Sequence, residues 1–159
     1  MTVDALQVSE EIKVAALRRC LSRLDEWSVS PPPIEALVMD FGLGEFDRVG
    51  LIEFWIANEM KAGYCGKYLF LANGQTCPRH SHRVKHETFF VVHGKLDVTL
   101  DDTSIELGEG QTLAIEPGHV HSFTGAGDTL MLELSMPCDV HDNYFEDKRI
   151  MQWLQSALI

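Results

Sequence analysis

Two histidines and a glutamate lie at short, fixed intervals near the middle of the chain. The segment from Gly74 to Gly94 reads G-x5-H-x-H-x4-E-x6-G, so His80, His82 and Glu87 stand between two glycines that can turn the backbone. On a strand His80 and His82 have the same parity, and both imidazoles then project to one face. The pattern predicts that a single metal ion binds both imidazoles and the carboxylate.

A fourth ligand is expected from the downstream segment EPGHVHSF. His121 follows Pro117 and Gly118, which can form a tight turn and bring its imidazole to the other two. His119 has the same parity, so it is the alternative fourth ligand or a residue that donates a hydrogen bond to a ligand. The spacing favours His121. Three imidazoles and one carboxylate suit a divalent transition metal with open positions for water or substrate.

Other reactive side chains near the motif are predicted from strand parity. Lys85 has the parity of Glu87, so it points inward if the glutamate does. Cys77 precedes His80 by an odd step and, in a strand without a bulge, faces away from the metal. Three further histidines are expected on the surface or in loops, with no role assigned: His86, His93 and His141.

Glu133 interrupts a late apolar segment, LMLELSM. Leucines alternate on one strand face, which leaves Glu133 on the other face with Met131 and Ser135. Burying a carboxylate among apolar neighbours is costly unless it is solvated or partnered. Two interpretations stay open: a buried general base in the site, or a solvent-facing side chain on the outer wall.

The elements that must position these residues are mainly short strands. Apolar runs such as YLFLA, ETFFVV, KLDVTL and TLMLELSM alternate with glycine-bearing turns, and the intervals are too short for crossover helices. This rhythm predicts an antiparallel all-β barrel. The predicted organisation is an N-terminal helix and proline-rich linker over 1–33, one barrel domain over 34–146, and a C-terminal helix over 147–159.

Both terminal segments have helical periodicity. From Ser9 to Leu24 the apolar residues recur every three or four positions, and the prolines from Ser30 to Pro33 end any helix. The same spacing returns after Asp147, which can complement the helix dipole. The predicted apolar faces are Ile12, Ala16, Leu17, Cys20, Leu21 and Leu24, then Ile150, Met151, Trp153, Leu154, Ala157 and Leu158.

The amino-acid composition limits the kinds of molecule that the protein is expected to bind. The chain has 159 residues, 24 acidic against 13 basic, and a formal charge of −11, so nucleic acid and anionic membranes are repelled at long range. No apolar run approaches a membrane span. Four cysteines without a CxxC pair predict buried, reduced thiols and a cytoplasmic protein: Cys20, Cys65, Cys77 and Cys138. The segment VGLIEFWI is apolar on both faces, which indicates either a homodimer surface or coverage by a terminal helix.

The two motifs together resemble those of the cupins, and the chain is similar to the D-lyxose ketol-isomerase branch of that superfamily. The resemblance covers Leu37 to Ile150. It is carried by LVMDFGLGEFDRVGL, GYCGKYLFLANGQTCPRH, KHETF and MLELSMPCDVHDNYFEDKRI. The loops between the HxH pair and Glu87, and between the two motifs, are shorter than in those isomerases. Glu116 stands where a proline is usual, and Gly125 stands where some members have asparagine. Because of these differences, the resemblance does not identify which sugar is the substrate.

The resemblance implies a single jelly-roll barrel and a Mn-dependent aldose–ketose isomerase acting on a monosaccharide of the D-lyxose or D-mannose type. The residues that match the family's ligands are His80, His82, Glu87 and His121. Lys85 matches an active-site lysine, and Glu133 matches a carboxylate on a late strand.

The same ligand set allows two other functions. Histidines and one carboxylate with open positions also support Fe(II) dioxygenase chemistry, and a metal-bearing cupin can bind a small molecule without turnover. Ni, Co, Fe and Zn are alternatives to Mn, because the affinity order favours later transition metals whichever ion is used in the cell.

Overall fold

The computed structural model describes residues 7–157, and within them neither helix has the length and hydropathy to cross a membrane. Two helices flank a set of short strands. The elements are α1 (Glu10–Glu26), β1 (Leu37–Met39), β2 (Leu51–Glu59), β3 (Tyr64–Leu71), β4 (Thr76–Ser81), β5 (Glu87–His93), β6 (Lys95–Leu100), β7 (Thr103–Gly108), β8 (Thr112–Ile115), β9 (His121–Gly125), β10 (Thr129–Ser135), a 3-10 helix (Val140–Asp142), β11 (Tyr144–Phe145) and α2 (Lys148–Ala157).

The strands form two antiparallel sheets. One has the order β1-β2-β3-β10-β5-β8, and the other has the order β11-β4-β9-β6-β7. From β4 to β11 the strands alternate between the two sheets in the manner of a jelly roll, except that β6 and β7 pair with each other in the five-stranded sheet. The predicted all-β barrel with a helix at each end is confirmed. The division into 1–33, 34–146 and 147–159 stays a prediction, and residues 1–6 and 158–159 lie outside the described range.

The barrel interior is closed by side chains from both sheets. In β5 burial alternates along the strand, so Glu87, Phe89 and Val91 point inward. Phe89 packs against Phe123 of β9 with ring centroids 5.1 Å apart. Because one face of β5 supplies both the aromatic packing and Glu87, the core fixes the direction of the carboxylate.

Helix α1 covers the outer face of the six-stranded sheet. Cys20 and Leu24 pack in one buried cluster with Ile52 and Phe54 of β2. This coverage accounts for the outward-facing Ile52 and Phe54 of VGLIEFWI, whereas Ile56 at the end of the segment is 50% exposed. The helix confirms the prediction for this segment, but two residues of its expected apolar face are exposed, Ile12 by 38% and Leu21 by 45%.

Helix α2 packs against the interior rather than only the outer wall. Ile150 and Leu154 belong to the same buried cluster as the barrel core. Gly42 lies against Trp153: its φ is +72°, and an added Cβ would lie 2.3 Å from the Trp153 Cγ. The helix begins after Asp147, whose carboxylate accepts a hydrogen bond from the Arg149 amide at 2.9 Å. Leu158 of the predicted apolar face lies outside the described residues.

Asp128 links α1 to the barrel. Its carboxylate accepts hydrogen bonds from Arg19 at 2.6 Å, Arg23 at 2.8 Å and the Asn73 amide at 3.0 Å. Burial would raise the pKa of Asp128, but Arg23 and Arg19 hold it below its ordinary value. We expect Asp128→Asn to lower the free energy of unfolding by about 1 kcal/mol at neutral pH, since the arginines are half exposed and screened by water.

The effect of Asp128→Asn must depend on pH. Because the folded-state pKa is depressed, the stabilisation is fully present above the unfolded pKa of about 4 and is lost as the pH falls below it. Urea unfolding of both proteins between pH 7 and pH 3 checks this. Asp97→Asn, at an exposed position on β6, is the matched control. A difference between wild type and Asp128→Asn that stays constant down to pH 3 contradicts the assignment.

Candidate metal centre

The predicted ligands meet between the two sheets. His80 lies in β4 and His121 begins β9, and the two residues are partners in the β4–β9 ladder. His82 follows β4 directly, and Glu87 begins β5 in the opposite sheet. Gly118 turns the chain before β9 with φ +90°, and its amide donates to the His82 carbonyl at 2.7 Å. Backbone pairing therefore joins the two sequence motifs.

The four side chains converge on one buried point. One ring nitrogen from each of His80, His82 and His121 lies within 4.8 Å of the others. The Glu87 Oε1 is 3.4 Å from His82 Nε2, and Oε2 is 3.0 Å from His121 Nε2. All four residues are at most 6% exposed. This arrangement places three imidazole nitrogens and a carboxylate around one position.

Backbone carbonyls fix which nitrogen of each histidine faces that position. The Nδ1 atoms of His80, His82 and His121 lie 2.7, 2.8 and 3.3 Å from the carbonyl oxygens of Pro78, Asp142 and His119, respectively. A carbonyl oxygen only accepts, so each Nδ1 carries the proton. Each Nε2 then presents a lone pair to the centre, which is how histidine ligands are commonly oriented.

The atoms that point inward fit a cation. Within residues 7–157, His82 Nε2, His121 Nε2 and Glu87 Oε2 are buried with no hydrogen-bond partner. Burial, followed by His121, holds the pKa of His80 well below its ordinary value, so the ring is neutral. Burial would raise the pKa of Glu87, but the surrounding side chains, including the Lys85 ammonium, hold this pKa well below the usual range. Neutral imidazoles and an ionised carboxylate are the forms that bind a metal.

The structure separates His119 from this centre. Its side chain is about half exposed and its Nδ1 lies 2.7 Å from Asp101. Of the histidines with no assigned role, His86 lies 3.5 Å from Glu116 and His93 lies 2.8 Å from Glu109, both half exposed. His141 is exposed at the cavity wall.

Cys77 does not face away from the centre. The β4–β9 ladder has an irregularity between Cys77 and His80. Because such an irregularity changes the face to which a side chain projects, the odd spacing of the two residues no longer places them on opposite faces. Cys77 is buried in the barrel core, and its sulfur lies 4.0 Å from the His80 Nδ1. The expectation that Cys77 faces away applied to a strand without a bulge, and this irregularity removes that condition.

Lys85 and Glu133 lie beside the four converging side chains. The Lys85 Nζ is 2.5 Å from Glu87 Oε1 and 3.3 Å from Glu133 Oε1. Glu133 is 3% exposed and lines the cavity, so its side chain is on the inner wall and not the outer one. Burial disfavours the charge on Lys85, but Glu133 and Glu87 outweigh it and hold the pKa of the ammonium above its ordinary value.

Two more buried charged residues, Lys67 and Glu53, lie next to the Lys85–Glu133 pair. Neither was identified from the sequence. Lys67 Nζ lies 3.4 Å from Glu133 Oε2 and 2.9 Å from Glu53 Oε1. A row of alternating charges therefore runs across the inner face of the six-stranded sheet: Glu53, Lys67, Glu133, Lys85 and Glu87. Each buried charge has an opposite neighbour, which is the condition under which burial is tolerated. The signal was a charged residue inside each of the apolar strands VGLIEFWI and YCGKYLFL.

Asp142 anchors the loop that carries Lys85. Its carboxylate accepts hydrogen bonds from the amides of Arg83 at 2.9 Å, Val84 at 3.1 Å and Lys85 at 2.9 Å. Its carbonyl oxygen faces the His82 Nδ1. One residue of the 3-10 helix thus orients a histidine and the lysine loop together. No periodicity in this part of the chain predicts the contact.

A cavity of about 600 Å³ opens onto these groups. Its floor is formed by His80, Glu87, Lys85 and Glu133, and its walls are largely apolar and aromatic. The aromatic wall residues are Phe41, Trp55, Phe123, Phe145 and Trp153. A cavity of this size with a few polar groups at its base is typical of a small-molecule site.

Comparisons with known proteins agree with this geometry. Residues 68–136 match the family model described as a cupin domain. A D-lyxose/D-mannose isomerase from Thermosediminibacter oceani is 31% identical over 141 aligned positions, which cover 71% of this chain and 77% of the relative.

Solved structures of low identity share the fold. L-ribose isomerase from Acinetobacter sp. DL28, in complex with L-ribose, superposes with a TM-score of 0.76 at 14% identity, covering 96% of each chain. L-ribose isomerase from Cellulomonas parahominis gives 0.75 at 16% identity, covering 96% of this chain and 97% of the other. From the curated relative and the shared barrel, the chain belongs to the cupin superfamily, in the D-lyxose/D-mannose isomerase family.

Proposed function

We propose that this protein is a metal-dependent sugar isomerase that interconverts an aldose and a ketose. The observation that carries the proposal is the buried Lys85–Glu133 pair beside three imidazoles and Glu87, at the base of a cavity open to a small molecule. A site that only stored a metal would not need two buried lysines among carboxylates. The similarity to a D-lyxose/D-mannose isomerase supports the same function.

The proposed ligands of a divalent ion are His80, His82, Glu87 and His121. Bound by these residues, such an ion would supply Lewis-acid polarisation of the carbonyl group of an open-chain sugar. Manganese is the proposed ion, following the resemblance to the D-lyxose ketol-isomerases. The neutral His80 ring and the ionised Glu87 carboxylate are in the protonation states that bind a metal.

Glu133 is the proposed base that moves the proton between C2 and C1. Lys67, Lys85 and Ser135 each contact its carboxylate, at 3.4, 3.3 and 3.2 Å, so the group is held in one orientation. Lys85 lies between Glu133 and Glu87, where its ammonium can stabilise negative charge that develops on O1 or O2. The apolar walls exclude water from the carbon that loses its proton.

The proposed substrates are D-lyxose and D-mannose. These sugars and L-ribose, which occupies one similar barrel, have the same configuration at C2 and C3. Since C2 loses its proton on one face, we expect the base to distinguish these sugars from their C2 epimers.

The test is a screen of aldoses with the metal-reconstituted protein. Mn-loaded protein is incubated with D-lyxose, D-mannose and L-ribose, with D-xylose and D-glucose as C2-epimeric controls, and the ketose is measured. We expect D-xylulose or D-fructose from the first two at rates well above those of the controls. Repeating the screen with Co, Ni, Fe and Zn identifies the preferred ion.

The same screen separates the two other functions that the ligand set allows. A dioxygenase would consume oxygen and lose activity under anaerobic conditions, whereas isomerisation needs no oxidant. A binding protein would retain the sugar without converting it. Absence of ketose from every sugar with every metal would contradict the proposed function.

Replacing Lys85 by methionine tests the role of the ammonium. We expect Lys85→Met to lower kcat by about 100-fold, because the charge on the sugar oxygens loses its partner. Folding is measured alongside, since Glu87 and Glu133 each lose a buried cation. Lys95→Met, whose lysine is exposed and paired with Glu106 at 3.2 Å, is the matched control. Full turnover by folded Lys85→Met would remove the lysine from the mechanism.

We also propose a homodimer in the cytoplasm. Ile56 of β2 and Leu134 of β10 are 50% and 49% exposed, and Leu134 is the partner of Gly66 in the β3–β10 ladder. Exposed apolar side chains on a sheet face are typical of a contact between copies.

All four cysteines are free, which suits a reducing compartment. The charge of −11 argues against nucleic acid or membrane as a partner. Light scattering measures the mass in solution.

A further inference from the structure

Cys138 lies at the cavity wall between two ammonium groups. Its sulfur is 3.6 Å from the Lys85 Nζ and 3.9 Å from the Lys67 Nζ. The other three cysteines are buried, as predicted, but Cys138 is half-buried and lines the cavity. A sulfur flanked by fixed cations is stabilised as the thiolate, which is the nucleophilic form of cysteine.

Cys65 lies beside Cys138 in a fixed frame. Cys65 and Lys67 are buried at alternate positions of β3, so the Cys65 side chain projects to the same face as the ammonium that contacts the Cys138 sulfur. Asn58 is the partner of Cys65 in the β2–β3 ladder, and its amide holds the Cys138 backbone through Nδ2 to O at 3.1 Å and N to Oδ1 at 2.9 Å. A strand and a loop therefore hold the two cysteines against each other.

The two sulfurs differ in acidity. The hydrogen bond from Cys65 lowers the pKa of Cys138 to about 6; burial opposes this effect, and Lys67 and Lys85 add to it. The pKa of Cys65 is raised, first by its hydrogen bond to Cys138 and then by burial. One member of the pair is thus a thiolate at neutral pH and the other is a thiol, which is the combination found in redox-active cysteine pairs.

We propose that Cys138 is a hydroperoxide-reactive thiolate in the wall of the cavity and that Cys65 resolves its oxidised form as a disulfide. The Cys138 sulfur attacks one oxygen of a hydroperoxide, so an S–O bond forms, the O–O bond breaks, and the leaving oxygen takes up a proton as an alcohol or water. The sulfur is oxidised to sulfenic acid and the peroxide is reduced. Cys65 then attacks the Cys138 sulfur; the S–S bond forms, and hydroxide leaves with the Cys65 proton as water.

Disulfide formation removes a negative charge that faces Lys67 and Lys85. Both lysines also contact Glu133, so the oxidised and reduced forms present different charge to the cavity. Neither step requires the sugar chemistry, and the site can be tested whatever the protein isomerises.

The experiment treats the full-length, Mn-loaded protein with a slight excess of hydrogen peroxide, blocks free thiols, and maps the peptides by mass spectrometry. We expect a cross-linked Cys65–Cys138 peptide that dithiothreitol reverses. In untreated protein, we expect iodoacetamide to alkylate Cys138 at least about tenfold faster than Cys20 at pH 7.

Two variants separate the roles of the sulfurs. Cys65→Ser should accumulate a dimedone-reactive sulfenic acid on Cys138 and form no cross-link, whereas Cys138→Ser should form neither product. Cys20→Ser, in α1, should behave as wild type. Thermal unfolding checks that each variant is folded. Alkylation of Cys138 no faster than of Cys20, or peroxide oxidation of wild type without the Cys65–Cys138 cross-link, overturns the proposal.

Discussion

Replacing His121 by alanine is expected to abolish both metal binding and turnover. His121 is fully buried, and its Nε2 lies 3.0 Å from Glu87 at the point where the other two imidazoles converge. Loss of a residue that only orients a ligand costs 10- to 100-fold in metal affinity, so loss of the ligand itself should cost more than about 100-fold. Metal content after dialysis, measured by mass spectrometry, and ketose formation check both effects.

His119→Ala is the matched control for this substitution. His119 is two residues away and was the alternative ligand on sequence grounds, but its side chain is half exposed and pairs with Asp101. We expect the His119→Ala protein to keep wild-type metal content and turnover. Circular dichroism confirms that both variants are folded. Equal loss of metal from the two variants, or none from His121→Ala, would contradict the proposed ligand set.

Replacing Glu133 by glutamine is expected to lower kcat by about 1000-fold while metal binding is retained. Glutamine has nearly the same shape but cannot accept the C2 proton. Lys67 keeps Glu53 and Lys85 keeps Glu87 as an anionic partner, so neither lysine is left unpaired. The measurements are kcat on the best aldose and metal content. Glu106→Gln, at an exposed position on β7, should be indistinguishable from wild type.

Isotope exchange distinguishes the role of Glu133 from a purely structural one. If Glu133 carries the proton between C2 and C1, ketose formed in D₂O contains deuterium at C1, because a carboxylic acid exchanges its proton with solvent. A direct hydride shift would give none. Full turnover by Glu133→Gln, or product without deuterium from the wild-type protein, would remove Glu133 as the base.

Strand parity and motif spacing predicted that the side chains at the centre would lie close together, as they do; their role as metal ligands stays a prediction. In a regular strand, the spacing of residues determines the face to which each side chain projects. This holds for His80 and His82 at alternate positions and for Glu87 at the start of the next strand. The position of His121 depended on a turn that Pro117 and Gly118 make recognisable. The barrel class followed from the rhythm of short apolar runs, which only antiparallel strands accommodate.

Other features depend on pairing between distant segments, which no local pattern encodes. Whether Glu133 faced the cavity or water depended on Lys67, which lies opposite it in the β3–β10 ladder. The direction of Cys77 depended on a ladder irregularity, which shifts parity without a signal in the sequence. Asp142 reaches the Lys85 loop from 57 residues away. These contacts needed the three-dimensional structure.

Anomalous X-ray scattering from crystals of the Mn-loaded protein tests most directly whether side chains from both sheets bind one ion at a single buried position. We predict one strong peak about 2.0–2.2 Å from the Nε2 atoms of His80, His82 and His121 and from a Glu87 oxygen. A peak elsewhere, or Glu87 directed away from the ion, would contradict the account.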